Sequence, residues 1–194
     1  MKAKFPGLLV LLCWLMTDAF AQKKFERPTD GDQYLQYEGT SDCNSAEELL
    51  QAGQKRIIVV LSEQKVYAYD GSRLFGKFDT VTGKRGKATS KGRHFVLEKQ
   101  VYRVSIRYKS PMWFSLVFTE DVQALHEGNI SMRRQKLNEM VTRETDDGIE
   151  IVKDSKLGSR GCVRLDPEAA RRLFEWTPLC TPVDVVTSFN KKRS

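Results

Sequence analysis

The chain has 194 residues, 40% of them hydrophobic, and a formal net charge of +7, which suits one domain with its own core on a scale of ~100 to 200 residues per domain. Its basic residues are scattered rather than gathered into a stripe, which argues against nucleic acid as a partner and for an anionic wall or membrane surface. No internal repeat, phosphate-binding loop or cluster of His, Asp and Cys with metal-ligand spacing is present, so neither a metal nor another cofactor is expected.

Lys2 and Lys4 precede an apolar run from Gly7 to Met16, and Ala19-Phe20-Ala21 follows as a small-x-small site. This is the layout of a secretory signal over residues 1–21, cleaved so that the processed chain begins near Gln22. The run is shorter than the ~20 residues a spanning helix needs, so no membrane span is expected here or later. Cys13 follows Leu11-Leu12 instead of a small residue, which sets a lipoprotein signal aside.

Loss of Lys2, Lys4 and Asp18 leaves a charge of +6 and three cysteines, Cys43, Cys162 and Cys180. In an oxidising compartment an odd count leaves one thiol over. Cys43 and Cys180 both sit in loop-like sequence near the ends of the domain, so they are expected to pair and Cys162 to stay free. With nothing that resembles a sorting signal, the expected location is the periplasm.

Residues 22–54 read as an N-terminal arm with one short helix. The stretch 22–42 is polar, with Pro28, Gly31 and Gly39, the composition of a linker. Ser45-Ala46-Glu47-Glu48 then forms a capping box ahead of Leu49 and Leu50, with Gly53 to close the helix. From Arg56 the period changes to that of strands: Ile57–Leu61, Lys65–Tyr69 and Arg73–Phe78, with Asp70-Gly71 as a hairpin turn. Thr80–Thr82, His94–Leu97, Val101–Tyr108 and Phe114–Phe118 continue the pattern between Gly83, Gly86, Gly92 and Pro111. Short strands at this spacing predict a mainly β domain over 55–190, a sandwich or barrel with few helices. One helix is expected at Ser131–Val141 on a weak apolar face. Another follows the Asp166-Pro167 cap and ends near Trp176, before Thr177-Pro178, and Val183–Thr187 reads as the last strand.

The most specific stretch is Leu157-Gly158-Ser159-Arg160-Gly161-Cys162-Val163-Arg164-Leu165. Two glycines and a serine ahead of a cysteine let the backbone bend so that N–H groups converge beside the sulfur. The thiolate is the reactive form, so a base is needed. The chain has two histidines: His126 ends a strand-like run that breaks at Gly128, whereas His94 beside Phe95 fits a structural or surface imidazole better.

The run Ser159-x-Gly161-Cys162-Val163-Arg164-Leu165, with Leu125-His126-x-Gly128 upstream, resembles the signature of the L,D-transpeptidase (YkuD-type) catalytic domain. Ile58–Tyr69 is similar to the opening hairpin of that domain, Val81-Thr82-Gly83-Lys84 to its "StGk" turn and Thr89-x-x-Gly92 to its "TPxG" segment. Tyr108–Phe118 resembles the stretch leading to the histidine, and Cys180–Val186 the closing strand. The resemblance implies a ping-pong reaction on peptidoglycan stem peptides. Cys162 attacks the carbonyl of the third residue, commonly diaminopimelate, terminal D-Ala leaves, and the acyl group passes to an amine or to water. His126 is then the general base and acid, and Ser159, Arg160 and Gly161 with Cys162 form the oxyanion loop. Arg164 matches the motif arginine, fit either to bind a substrate carboxylate or to make a structural ion pair. Trp113, Tyr108 and Phe114 fit the groove wall or, more in keeping with general burial, the core.

Several positions depart from the family pattern. The common "SHGC" is here Ser159-Arg160-Gly161-Cys162, and Arg160 is placed to favour a nearby thiolate. Glu127 replaces the usual glycine or serine after His126, Ser90 replaces the proline of "TPxG", and His94 stands where an aromatic is usual. His126 and Cys162 are 36 residues apart, longer than the family norm, and the surplus around 130–152 fits a lid or a plain surface insertion. Transfer to an amine, an L,D-carboxypeptidase reaction and an inactive peptidoglycan-binding module are the competing readings. A papain-like peptidase is disfavoured because there the cysteine precedes the histidine. The oligomeric state is not legible.

Overall fold

A computed structural model describes residues 37–84, 86–105, 107–128, 130, 142–145, 148–151 and 158–189. The expected signal at 1–21, the first part of the arm at 22–36 and the expected helix at Ser131–Val141 lie outside the described residues. Among the described residues no helix is long and apolar enough to cross a membrane.

Three strands open the domain: β2 (Lys55–Val60), β3 (Lys65–Asp70) and β4 (Arg73–Val81). They form an antiparallel meander, since the strands are rich in β-branched and aromatic residues and Gly71 takes φ +59° at the turn after Asp70, a conformation glycine adopts at no steric cost. The arm is not all linker. Its residues Tyr37–Thr40 form β1, an edge strand on β6 (Glu98–Val104); backbone pairing needs no apolar pattern, so composition hides it. β6 is shorter than the run Val101–Tyr108 suggests at its far end, because Ser105 N–H donates to Ser110 O at 2.9 Å and turns the chain. β7 (Pro111–Val117) starts on its proline, a place where the missing N–H does little harm.

The remaining elements are β5 (Gly92–Phe95), β8 (Ala124–Glu127), the antiparallel pair β9 (Thr142–Thr145) and β10 (Gly148–Ile151), β11 (Val163–Leu165) and β12 (Pro182–Val186). Ten strands make one sheet in the order β1-β6-β7-β8-β11-β4-β3-β2-β12-β5. β4 belongs to both halves: residues 73–79 pair with β3, and Thr80 and Val81 pair with β11. The mainly β class is as expected, in the form of one ten-stranded sheet with β9–β10 as a separate pair.

Both halves contribute to a single apolar core. Ile57, Val59, Val66, Ala68, Val183 and Val185 from one half meet Leu116, Leu125, Val163 and Leu165 from the other. Helix α2 (Pro167–Trp176) joins them through Ala169, Ala170, Leu173 and Phe174. Asp166 caps it by accepting from Ala169 N–H at 3.0 Å, and Pro167 fits the first turn because its missing N–H would have no helical partner. Full burial of Leu173 is worth about 2 kcal/mol by area removed from water. The short helix α1 (Ala46–Gln51) has its capping box: Ser45 Oγ accepts from Glu48 N–H at 3.1 Å, and the Glu48 carboxylate accepts from Ser45 N–H at 3.3 Å. Cys43 and Cys180 are joined by a disulfide, with Cα atoms 5.3 Å apart across 137 residues of sequence. It ties the segment after β1 to the turn before β12.

Candidate active site

β8 and β11 are parallel neighbours in the register Val163↔Leu125, Arg164↔His126 and Leu165↔Glu127. Register partners project to the same face of a pleated sheet and successive residues alternate. Leu125, Val163 and Leu165 therefore enter the core. Ala124 and His126 share the opposite face with Arg164 and with Cys162 just before β11. The pairing of these two strands brings Cys162 and His126 to one patch across 36 residues of sequence.

His126 is 8% exposed, and its Nδ1 lies 2.5 Å from the Glu127 carbonyl oxygen. A carbonyl only accepts, so Nδ1 carries the proton and Nε2 keeps a lone pair. The backbone at position 127 orients the ring, so a glutamate there is compatible with the arrangement. Burial first, and then the charges of Arg164 and Arg103, hold the imidazole down to a pKa of about 3. Cys162, the free thiol among the described residues, packs against Met112, Val117 and Ala124. Burial pushes this thiol up, while a backbone hydrogen bond from Ala124 and the charges of Arg164 and Arg103 pull it partly back. At neutral pH the cavity thus holds a neutral thiol and a neutral imidazole.

The loop ahead of Cys162 is clasped from two sides. Ser159 N–H donates to Thr82 O at 2.8 Å, and Lys84 N–H donates to Ser159 O at 3.0 Å. The Ser159 hydroxyl donates to the Cys162 carbonyl and accepts from Gly161 N–H at 3.1 Å. The buried Thr89 hydroxyl donates to Gly161 O at 2.8 Å and accepts from Gly83 N–H at 3.0 Å. Gly161 takes φ +114°, which a side chain would strain. Gln123, unremarked in the sequence, completes the clasp. Its Oε1 accepts from Ser90 N–H at 2.9 Å, its Nε2 donates to Ser90 Oγ at 3.0 Å, and its side chain lies against Gly161. A proline at 90 would have no N–H for this contact, so the departure at Ser90 and the presence of Gln123 belong together.

Cys162 and His126 line a cavity of about 370 Å³, together with Tyr108, Ser159, Arg160 and Arg164. The Arg160 guanidinium lies over the Tyr108 ring, 4.2 Å from its centroid, a cation–π pair that forms one wall. The arginines whose charges act on the thiol are Arg164 and Arg103; the Tyr108 ring engages Arg160 instead. Trp113 does not line the cavity. It packs on the core and beside Tyr102, with ring centroids 4.6 Å apart, because the residue of β7 that reaches the cavity is Met112. His94 stands apart as well, its Nε2 3.2 Å from Ser90 O and its ring against Phe118. Lys87, Arg103 and Arg107 also line the cavity, against a single carboxylate among the described residues, Asp121. Arg103 was not singled out in the sequence, since Val101–Tyr108 reads there as one uninterrupted strand run.

A family model of the L,D-transpeptidase catalytic domain (YkuD) matches residues 54–185. No curated protein matches the chain. Among solved structures it is similar to the L,D-transpeptidase of Stackebrandtia nassauensis, at 18% identity and a TM-score of 0.55 over 82% of this chain and 62% of that one. It is similar also to the Mycobacterium smegmatis enzyme, at 16% and 0.54 over 69% and 58%, and to an Enterococcus faecium L,D-transpeptidase, at 21% and 0.51 over 69% and 50%. These likenesses are of fold, and the chain spans less than two thirds of the length of each. Because the family match covers more than half of its residues and these structures share its fold, the chain belongs to the L,D-transpeptidase (YkuD) family.

Proposed function

We propose that this domain is a peptidoglycan L,D-transpeptidase with Cys162 as nucleophile and His126 as general base and acid. The observation that carries the reading is the parallel β8–β11 register, which sets His126 and Cys162 on one face of one cavity with the imidazole Nε2 free to accept. As Sγ attacks the carbonyl of the third stem residue, its proton passes to Nε2. The same proton then goes to the amine of departing D-Ala, leaving a thioester on Cys162. Gly161 N–H is committed to Ser159 Oγ, so the amides of Arg160 and Cys162 are the loop donors for the oxyanion.

Arg103 and Arg164 supply the donor site. A stem-peptide carboxylate drawn to them offsets two of the charges that keep His126 neutral, so donor binding itself favours the imidazolium that proton transfer creates. The thioester is then transferred to an amine acceptor; a water acceptor would give tripeptide. Export to the periplasm is part of the same proposal, supported by the layout of residues 1–21 and by the Cys43–Cys180 disulfide, since such bonds persist in oxidising compartments. The test is product analysis with disaccharide-tetrapeptide. Released D-Ala is expected from the unsubstituted protein and not from Cys162→Ala. No release from folded protein with a free thiol would contradict the proposal and favour a binding module.

A further inference from the structure

Arg164, the register partner of His126, and Arg103, which is also paired with Glu98 at 3.3 Å, act on both the imidazole and the thiol. The Asp121 carboxylate acts on the thiol with the opposite sign. Asp121 lies toward the loop side. Gln123 Nε2 donates to its carboxylate at 3.3 Å, and the same Gln123 side chain packs against Gly161, the residue before the nucleophile. Asp121 is exposed and is the one carboxylate among the described residues lining the cavity, against five cationic side chains.

Two substrates must reach one sulfur. The donor brings carboxylates, which the guanidiniums attract. The acceptor is an alkyl amine, which at neutral pH arrives as an ammonium ion and is repelled by a cationic cavity. We infer that the Asp121 carboxylate docks the acceptor's ammonium group beside Cys162, which makes Asp121 a specificity-determining residue for transfer over hydrolysis. This rests on the reading that Cys162 carries the acyl group. In the transfer step the docked ammonium releases one proton to solvent, and the neutral nitrogen attacks the thioester carbonyl carbon. The C–N bond forms and the C–S bond breaks. The second proton lost by nitrogen passes through His126 Nε2 to the departing sulfur, which restores the thiol.

The test uses the full chain with disaccharide-tetrapeptide as both donor and acceptor, its third residue carrying a free side-chain amine. Crosslinked dimer is measured against tripeptide by liquid chromatography; this ratio reports only what happens after the thioester forms. Asp121→Asn should lower the ratio about fivefold, the size an exposed ion pair supports, and Asp121→Glu should retain most of it. Added salt should lower the ratio for the unsubstituted protein more than for Asp121→Asn. An unmoved ratio in Asp121→Asn, with adduct on Cys162 still observed, overturns this inference alone. No adduct on Cys162 in the unsubstituted protein overturns the underlying reading and this inference with it.

Discussion

Gly128 lies directly under the side chain of Arg164: a Cβ built on Gly128 would meet the Cβ, Cγ and Cδ of Arg164 at 2.8 Å each. Gly128 N–H also donates to Leu165 O at 2.8 Å, locking the two strand ends together. The glycine two residues after His126 is thus a packing requirement of the arginine two residues after Cys162. Gly128→Ala should push Arg164 out of place and cut kcat/KM on disaccharide-tetrapeptide about tenfold, the loss that follows when ~1.4 kcal/mol of transition-state stabilisation is removed. Steady-state kinetics with D-Ala detection checks this; an alanine variant with unchanged kcat/KM would remove Arg164 position from the account.

Arg103 and Arg164 should act as a pair. Each single change to Gln is expected to raise KM for the tetrapeptide more than it lowers kcat, because a ground-state carboxylate contact is lost. The double change should fall short of the sum of the singles, since one carboxylate is shared. Strict additivity on a double-mutant cycle would mean that the two arginines serve separate ends.

Ser90→Pro restores the residue usual in the family yet should harm this chain. It deletes the N–H that donates to Gln123 Oε1, leaving a buried acceptor unpaired at about 1 to 3 kcal/mol. Urea unfolding should show that loss, and Ser90→Ala, which keeps the N–H, should lose less. Equal stability of Ser90→Pro and the parent would show that Gln123 has another partner.

The imidazole gives a pH dependence whose sign follows from its direction of shift. Folded His126 titrates near 3, whereas an unfolded histidine titrates near 6.5. Between those values the unfolded chain takes up a proton that the folded chain refuses. Stability therefore falls as pH drops through that window, by about 1.4 kcal/mol per pH unit from this group, and is unaffected by it well above 6.5. Urea unfolding from pH 7 to pH 4 should show a shallower acid loss for His126→Gln than for the parent. Identical slopes would mean that the ring is solvated and protonates freely.

Local chemistry made much of this fold legible. The capping box at Ser45 and Glu48, the Asp70-Gly71 turn, the β-branched and aromatic strand runs and the Asp166-Pro167 helix start are all written in neighbouring residues. Nonlocal pairing was not. β1 joins the sheet edge through backbone bonds that a polar sequence conceals, and β9 and β10 are four-residue strands too short to show a period. In the site, the glycine-serine run marked Cys162 and the break at Gly128 marked His126. Arg103, Gln123 and Asp121 carried no local signal, since each acquires meaning only where β6, the turn before β8 and the Cys162 loop meet. For Trp113 the groove and the core were both open from sequence, because an aromatic in a strand looks the same from either face until the register is known.

The most direct measurement is the intact mass of the protein after brief incubation with disaccharide-tetrapeptide, followed by peptide mapping. The account predicts a covalent adduct on Cys162 equal to the donor less D-Ala, absent in Cys162→Ala and slow to form in His126→Ala. Release of D-Ala without any adduct on Cys162, or an adduct that maps to another residue, would contradict it.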